Sequence, residues 1–377
     1  MMNEAPIYLD NGASTRVDER VAQAALDAML EAYGNPSSAH GPGAEAARRV
    51  AKARAQVAAA IGGSDDEVLF TSGGTEANAL AMMGTTGKLT HVVVSGFEHP
   101  SVADAAKALS ARGVAVTTVA PASDGVVSVA DFARAVRPDT GLVACMWVQN
   151  EIGTVQPVEA IARAVKERAP KCHVHVDGVQ AIGKLALTMA GAPFDSLALS
   201  AHKLHGPKGV GALWLKRGAK LRPIVHGGGQ ERGLRPGTEG VPGIVALGLA
   251  CELAAAARAE AAPRMARQRD RLWTTIAAAL PQAQRHGDPA RTAPHVLSLG
   301  FAGVPAEPLL HALSARGVYV SAGSACHARD KKPSATLRAI GVRDDVGTIR
   351  LSLSRLTTDD EVARAAIAVI ATVKELS

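Results

Sequence analysis

Apolar positions recur at helical spacing along residues 43–61, where Val50, Ala53, Val57 and Ile61 fall on one stripe. Downstream the apolar runs shorten and fill with β-branched residues. Strands are predicted at 67–71, His91–Ser95, 142–148, His173–Asp177 and Ser196–Ser200, with a helix opening near Thr75. Most of these strands are followed by helical stretches, which predicts a mostly parallel sheet with helices on both faces. In such a sheet ligands sit at the carboxyl ends of the strands. From about Pro242 to Leu280 the pattern becomes one long Ala-rich helical region that is expected to break near Pro263. Further strands at 295–301, 318–321 and 348–354, then a last helix over 358–376, suggest a smaller α+β layer.

Composition narrows this picture only a little. A chain of 377 residues suits two domains, and 47% hydrophobic with 20% charged residues is the balance of a soluble globular protein. The start of the chain, with Glu4 and Asp10, lacks the basic-then-apolar order of a signal peptide. No apolar run is read as a membrane span. Cys145, Cys172, Cys251 and Cys326 are widely spaced with no CxxC pair, which argues against a disulfide framework or structural zinc and for a cytoplasmic setting. The net charge of +6 is mild, and with 3% aromatic residues the chain is not expected to bind nucleic acid.

Chemistry concentrates at strand ends. Ser200-Ala201-His202-Lys203 closes a predicted strand and precedes Gly206-Pro207-Lys208-Gly209. A lysine there is either a surface-loop residue or an amine fit to form a Schiff base, since burial readily lowers its pKa. Thr71-Ser72-Gly73-Gly74-Thr75 follows a strand and opens a helix. It suits either a tight turn or an anion held on backbone N–H groups. In His173-Val174-His175-Val176-Asp177, residues two apart share a face, so both histidines and the aspartate line up. A metal site, simple hydrogen-bond satisfaction, and an Asp177 partner for a protonated pyridine nitrogen all remain open.

Taken in order, these motifs carry a resemblance. They include Tyr8-Leu9-Asp10-Asn11, Tyr33-Gly34-Asn35-Pro36, Glu98-His99, Asn150-Glu151-Ile152-Gly153-Thr154, Gly228-Gly229-Gln230-Glu231, Leu234-Arg235-Pro236-Gly237-Thr238, Gly323-Ser324-Ala325-Cys326 and Ile349-Arg350. With the segments above they make the chain similar, nearly end to end, to cysteine desulfurases of the class V aminotransferase family, in the group serving iron–sulfur cluster assembly. The resemblance implies an α/β, aspartate aminotransferase-like fold. It divides into an N-terminal segment (1–20) packing with the small domain, a large cofactor-binding domain (21–255) and a small C-terminal domain (256–377). It implies pyridoxal 5'-phosphate as cofactor and L-cysteine as substrate. Lys203 would bind the cofactor and later move the α-proton. Gly74, Thr75, Ser200 and His202 would hold its phosphate, Asp177 its ring nitrogen and Gln180 its ring hydroxyl. His99 would stack on the ring, although its residues alone also fit a capping or core histidine. Arg350 would grip the substrate carboxylate with Asn150 beside it, and Thr238 would reach the phosphate of a neighbouring subunit in a homodimer.

Cys326 carries the distinguishing chemistry. The resemblance makes its thiolate the acceptor of the substrate's sulfur, with the persulfide passed to a protein acceptor such as an iron–sulfur scaffold. A transient iron–sulfur contact at Cys326 is the one metal role it leaves room for. The segment around it, 325–332, is polar and is expected to be mobile. Gly12 and Ser14 replace the family's usual alanine and threonine. The stretch His327-Ala328-Arg329-Asp330-Lys331-Lys332 is basic where the family has small and acidic residues. Competing readings are a selenocysteine lyase, a class V transaminase, which would not need Cys326, and a non-catalytic assembly scaffold.

Overall fold

Strands covered on both faces read as near-continuous apolar runs, as Val92-Val93-Val94 and Leu142-Val143-Ala144-Cys145-Met146 do in this chain. The computed structural model describes residues 5–87, 89–322 and 334–377. Its first part runs β1 (Ile7–Tyr8), α1 (Glu19–Glu31), α2 (Gly41–Ile61), β2 (Val68–Thr71), α3 (Gly74–Gly84), β3 (His91–Ser95), α4 (Pro100–Ala111), β4 (Ala115–Val119), α5 (Val129–Ala135), β5 (Thr140–Met146), α6 (Val158–Arg168), β6 (His173–Asp177), β7 (Ser196–Ser200) and β8 (Gly211–Leu215). The rest is α7 (Val241–Ala279), β9 (Gln284–Arg285), β10 (Val296–Ala302), α8 (Ala306–Ala315), β11 (Val318–Tyr319), α9 (Ala335–Ala339), β12 (Val346–Ser352) and α10 (Asp359–Leu376).

A seven-stranded sheet in the order β2-β8-β7-β6-β5-β3-β4 organises the first part. The pairs from β7 across to β4 are parallel, whereas β8 is antiparallel to both β7 and β2. In β3, β5, β6 and β7 every residue except Gly141 is buried, as a sheet with helices on both faces requires. Three strands, β3, β6 and β7, form at the bounds expected from sequence. The stripe of α2 is also as expected: Val50, Ala53, Val57 and Ile61 are all buried. That helix stops at Gly62, whose left-handed backbone (φ 64°) glycine adopts without penalty.

The second layer is a small antiparallel sheet, β12-β10-β9, beside the two-stranded parallel pair β1-β11. Its core joins Leu297, Leu299 and Phe301 of β10 to Leu309 and Leu313 of α8 and to Val362 and Val369 of α10. Ile7 and Leu9 belong to this core, so the beginning of the chain is packed against its end. The backbone N–H of Leu9 bonds Tyr319 at 2.8 Å, and its carbonyl accepts from Ser352 at 2.7 Å.

One expectation is corrected. The helix α7 does not break at Pro263 but runs unbroken from Val241 to Ala279. Its first half places Ile244, Leu247 and Cys251 in the core of the large sheet, and its second half places Met265, Leu272 and Ile276 in the other core. Packing on both sides offsets the lost hydrogen bond and ring clash, which cost about 3 kcal/mol in a helix interior. Among the described residues α7 is also the one helix long and apolar enough to cross a bilayer, a feature the sequence reading passed over. Here its apolar residues are shared between the two cores.

Because Pro263 is exposed, Pro263→Ala restores a backbone donor without opening a cavity. The substitution should stabilise the protein by about 2 kcal/mol, the helix gain less the unfolded-state entropy that proline removes. A urea midpoint equal to or below that of the parent protein would show the opposite.

Candidate active site

The strand ends of β6 and β7 lie side by side, and each delivers one charged residue. Beyond Ser200 the chain turns through a single 3-10 turn, Ala201–Lys203. This aims the Lys203 amine at the N-terminal segment, where Nζ donates to the carbonyls of Gly12 and Ala13, both at 2.6 Å. The same crossing is held by Thr15, whose backbone N–H bonds the His202 carbonyl at 2.8 Å. Lys203 is therefore built into the contact between the two layers and is not a surface-loop lysine. His202 lies 3.4 Å from the Ser14 hydroxyl, and burial, reinforced by Lys203 and Lys208, pushes its pKa down to about 4.

Asp177 ends β6 at only 5% exposure. A carboxylate so deep must be hydrogen-bonded. Its Oδ2 accepts from Asn78 Nδ2 at 2.9 Å and its Oδ1 from the Val179 N–H at 3.0 Å. Gln180 donates through Nε2 to the Gly12 carbonyl at 2.9 Å, and its Oε1 meets His295 Nε2 at 3.2 Å, which fixes the amide's orientation. His173 and His175 bond the Ser196 hydroxyl at 2.8 and 2.9 Å, and His175 Nε2 meets Asn78 Oδ1 at 2.9 Å. Burial pushes their pKa values down to about 4 and about 3, so both rings are neutral at pH 7. Of the readings left open for this strand, hydrogen-bond satisfaction accounts for both histidines.

At the head of α3, Gly73 has φ 155° and ψ −176°, a region essentially closed to other residues. A Cβ there would point toward Ser200 Oγ at 3.9 Å with nothing nearer, so the space between the helix N-terminus and that hydroxyl is open. At Gly74 a Cβ would strike Val179 at 2.8 Å. Backbone N–H groups at the start of α3, including that of Thr75, thus face a small cradle suited to an anion. His99 caps α4, its Nδ1 accepting from the Ser101 N–H at 3.2 Å and lying 2.8 Å from the Ser101 hydroxyl. The capping role allowed by the sequence is real.

Arg350 is only 2% exposed. Its Nη2 bonds Asp10 Oδ1 at 2.7 Å and its Nη1 the carbonyl of Asn150 at 2.8 Å. Asn150 therefore meets Arg350 through its backbone. The Nε is buried with no partner among the described residues. Beside it, Ser321 and Arg350 exchange backbone hydrogen bonds of 2.6 and 3.2 Å. Thr238 is exposed on this chain, on a loop tied down by the Arg54–Glu231 and Arg235–Glu76 ion pairs. Cys326 and the segment 325–332, expected to be mobile, lie outside the described residues. The other cysteines are buried thiols, with burial pushing Cys172 and Cys251 up to about 12 and Cys145 well above the ordinary thiol value.

The donor set fits pyridoxal phosphate. It offers an open cradle for a phosphate, a buried carboxylate for a protonated ring nitrogen, and a lysine amine just past the end of the neighbouring strand. The class-V aminotransferase profile matches residues 7–365. A cysteine desulfurase of Bradyrhizobium diazoefficiens is 42% identical over 97% of this chain and 94% of its own length. The chain belongs to the cysteine desulfurase family of the class-V aminotransferases. That family is pyridoxal-phosphate dependent. A solved NifS-like protein superimposes with a TM-score of 0.92 at 37% identity, covering 98% of this chain and all of its own. A second solved structure, SspA in complex with cysteine, has a TM-score of 0.82 at 32% identity over 93% of this chain and 100% of its own.

Within this desulfurase fold the structure adds residues that sequence reasoning did not assign. Asn78, three residues beyond the Thr71–Thr75 motif, drew no role from the sequence. Asp10 and the carbonyls of Gly12 and Ala13 reach the site only because the N-terminal segment crosses between layers. Gly12 matters for the same reason: a Cβ there would press to 3.0 Å from Ser352 Oγ and 3.2 Å from the Arg350 guanidinium carbon. Lys184 donates to the Lys203 carbonyl at 2.8 Å, and burial followed by the neighbouring Lys203 charge brings its pKa down to about 7. Glu98, next to His99, accepts from the Ser95 hydroxyl and from the Met146 N–H at 2.8 Å. Burial and, secondarily, repulsion by Asp177 raise its pKa to about 8.

That shift fixes a sign. In the folded protein Glu98 stays protonated up to about pH 8, whereas the unfolded chain releases the proton near its ordinary value of 4.5. The stability it contributes is therefore full below that value and is lost as pH rises toward 8. Glu98→Gln keeps the shape without the proton. Between pH 5 and pH 8 its urea midpoint should gain steadily on that of the parent, by roughly 1 kcal/mol per pH unit. Parallel midpoints across that range would show that Glu98 ionises normally.

Proposed function

We propose that this protein uses pyridoxal phosphate to remove the sulfur of L-cysteine, leaving L-alanine and a persulfide on Cys326. The observation that carries the reading is the Lys203 amine, held at the layer boundary by two carbonyls, in a sheet whose adjacent strand ends also carry the buried Asp177 carboxylate and, at Ser200, face the Gly73-Gly74 cradle. The family's known desulfurases and the cysteine complex of the SspA relative support it.

The residues divide the work. Gly74, Thr75, Ser200 and His202 hold the cofactor's phosphate, with Thr238 of a second copy completing the site in a homodimer. Asp177 keeps the ring nitrogen protonated and Gln180 bonds the ring hydroxyl. Bound pyridoxal phosphate supplies an electron sink for the carbanion at the substrate's α-carbon. Lys203 Nζ takes the α-proton and His99 covers the ring and assists proton transfer. Arg350, with Asn150 at its side, grips the substrate carboxylate. The Cys326 thiolate then forms a bond to the substrate sulfur as the carbon–sulfur bond breaks. The electron pair stays on carbon, which is protonated to alanine. The persulfide passes to a protein acceptor, such as an iron–sulfur scaffold, in the cytoplasm. The separate cores support the division into 1–20, 21–255 and 256–377, with α7 bridging the last two.

Incubation with L-cysteine and a reductant should yield alanine and sulfide in equal amounts. Lys203→Ala should abolish both products and the borohydride-fixed cofactor. Cys326→Ser should bind cofactor and cysteine normally but lose sulfide release, because a hydroxyl is a far weaker nucleophile at neutral pH. Near-normal sulfide from Cys326→Ser would remove that cysteine from the reaction.

Arg350→Ala should raise the apparent KM for cysteine by roughly one to two decades, the loss expected for a charge-assisted contact. Cofactor content measured by absorbance should stay at one per chain. An unchanged KM would assign the substrate carboxylate to another group.

A further inference from the structure

Asn78 is 1% exposed and uses all of its side-chain hydrogen-bonding groups that the geometry displays. Its Nδ2 donates to Asp177 Oδ2 at 2.9 Å and to the Ser101 hydroxyl at 2.8 Å, and its Oδ1 faces His175 Nε2 at 2.9 Å. It stands on α3, whereas its partners come from β6 and α4. We propose that Asn78 is a positioning residue that joins Asp177 and His99 in one hydrogen-bonded unit of fixed polarity, with neutral His99 carrying its proton on Nε2.

The polarity follows from the one member that can only accept. An ionised carboxylate has no proton to give, so the Asn78 edge facing Asp177 must be its NH2. The Oδ1 edge then faces His175, whose Nε2 has to donate. As a neutral ring, His175 accepts at Nδ1, and the Ser196 hydroxyl at 2.9 Å supplies that proton. Ser196 in turn accepts from His173 Nε2 at 2.8 Å. On the other side the Ser101 oxygen accepts from Asn78, leaving its own proton for His99 Nδ1 at 2.8 Å. The Ser101 backbone N–H points at the same nitrogen at 3.2 Å. Two donors on Nδ1 exclude a proton there, so the neutral ring of His99 holds its proton on Nε2. The donor order runs from His173 through Ser196, His175, Asn78 and Ser101 to His99, with Asp177 as the branch that sets its direction. A chain of this kind strengthens each member and makes both site residues answer to one amide.

The proposal rests on the reading that Asp177 and His99 serve the cofactor site, but its first test does not depend on turnover. Nitrogen-15 NMR of the cofactor-loaded, histidine-labelled protein, assigned with His99→Gln and His175→Gln, should show both rings as Nε2–H tautomers. An Nδ1–H tautomer at either position overturns the polarity. The second test separates positioning from simple stability. Asn78→Ala and Asn78→Asp, compared per mole of bound cofactor, should each lower kcat by roughly ten- to a hundredfold with KM for cysteine held within about threefold. Both should also shift the cofactor's visible absorption band, because Asp177 has lost its side-chain donor and keeps only the Val179 N–H. Ser101→Ala, which leaves the Asn78–Asp177 bond intact, should lower kcat by about threefold or more without moving the band. If the Asn78 variants do not fold, the tautomers and Ser101→Ala still decide the matter. A parental band and kcat in the Asn78 variants, a loss confined to KM, or a shifted band in Ser101→Ala would each refute the linkage. Nε2–H tautomers in a protein that releases no sulfide would instead refute the desulfurase reading and leave the network standing.

Discussion

A carboxylate buried at the end of a parallel strand must be met by donors, because an unpaired charge at that depth is unfavourable by several kcal/mol. Asp177 is such a group, and much of the surrounding structure answers to it. Its oxygens are met by the Val179 N–H, supplied by the chain just after β6, and by the Asn78 amide on α3. Meeting Asp177 orients Asn78, and the orientation of Asn78 dictates which nitrogen of His175 donates. His173, His175 and Asp177 of β6 and Ser196 of β7 are thus members of one satisfied network. A buried polar network of this kind specifies one arrangement, because each partial alternative leaves a group unpaired.

The second constraint is the crossing of the N-terminal segment. Ile7 and Leu9 are fixed in the core of the smaller layer, and within a few residues the chain reaches the carboxyl edge of the large sheet. There Asp10 meets Arg350, and the Gly12 and Ala13 carbonyls meet the Lys203 amine. Gly12 permits this closeness, since any side chain would press on Ser352 and Arg350. The helix α7 makes a second connection by contributing to both cores. Between them these two segments hold the layers in register, so that Arg350 on β12 and Lys203 after β7 border one site.

Much of this was legible in the chain. The helical stripe through Val50, Ala53, Val57 and Ile61, and the strands β3, β6 and β7, follow from local periodicity, which packing reinforced. The strand-end positions of Lys203 and Asp177, and the Gly73-Gly74 turn opening a helix, were readable because ligand-facing residues in such sheets occur where strands stop. Pro263 was misread for a physical reason: a local rule about proline was outweighed by apolar contacts on both sides of it. The strands β5 and β12 keep the expected length of seven residues but lie two positions earlier in the chain, a shift of the size expected where strand ends are set by pairing and not by local pattern.

Local sequence determined which segments become strands and helices, and its ordered motifs determined the family, since both depend on residues close together in the chain. Tertiary structure decided everything that joins distant residues. Nothing in the spacing of Asn78, Ser101, His175 and Asp177 says that a single amide links them. Nor does the sequence show that Arg350 already holds Asp10, or that Asn150 offers it a carbonyl and not a side chain. Hydrogen-bond direction and charge pairing are set by distances of about 3 Å between groups that only the packed sheet brings together.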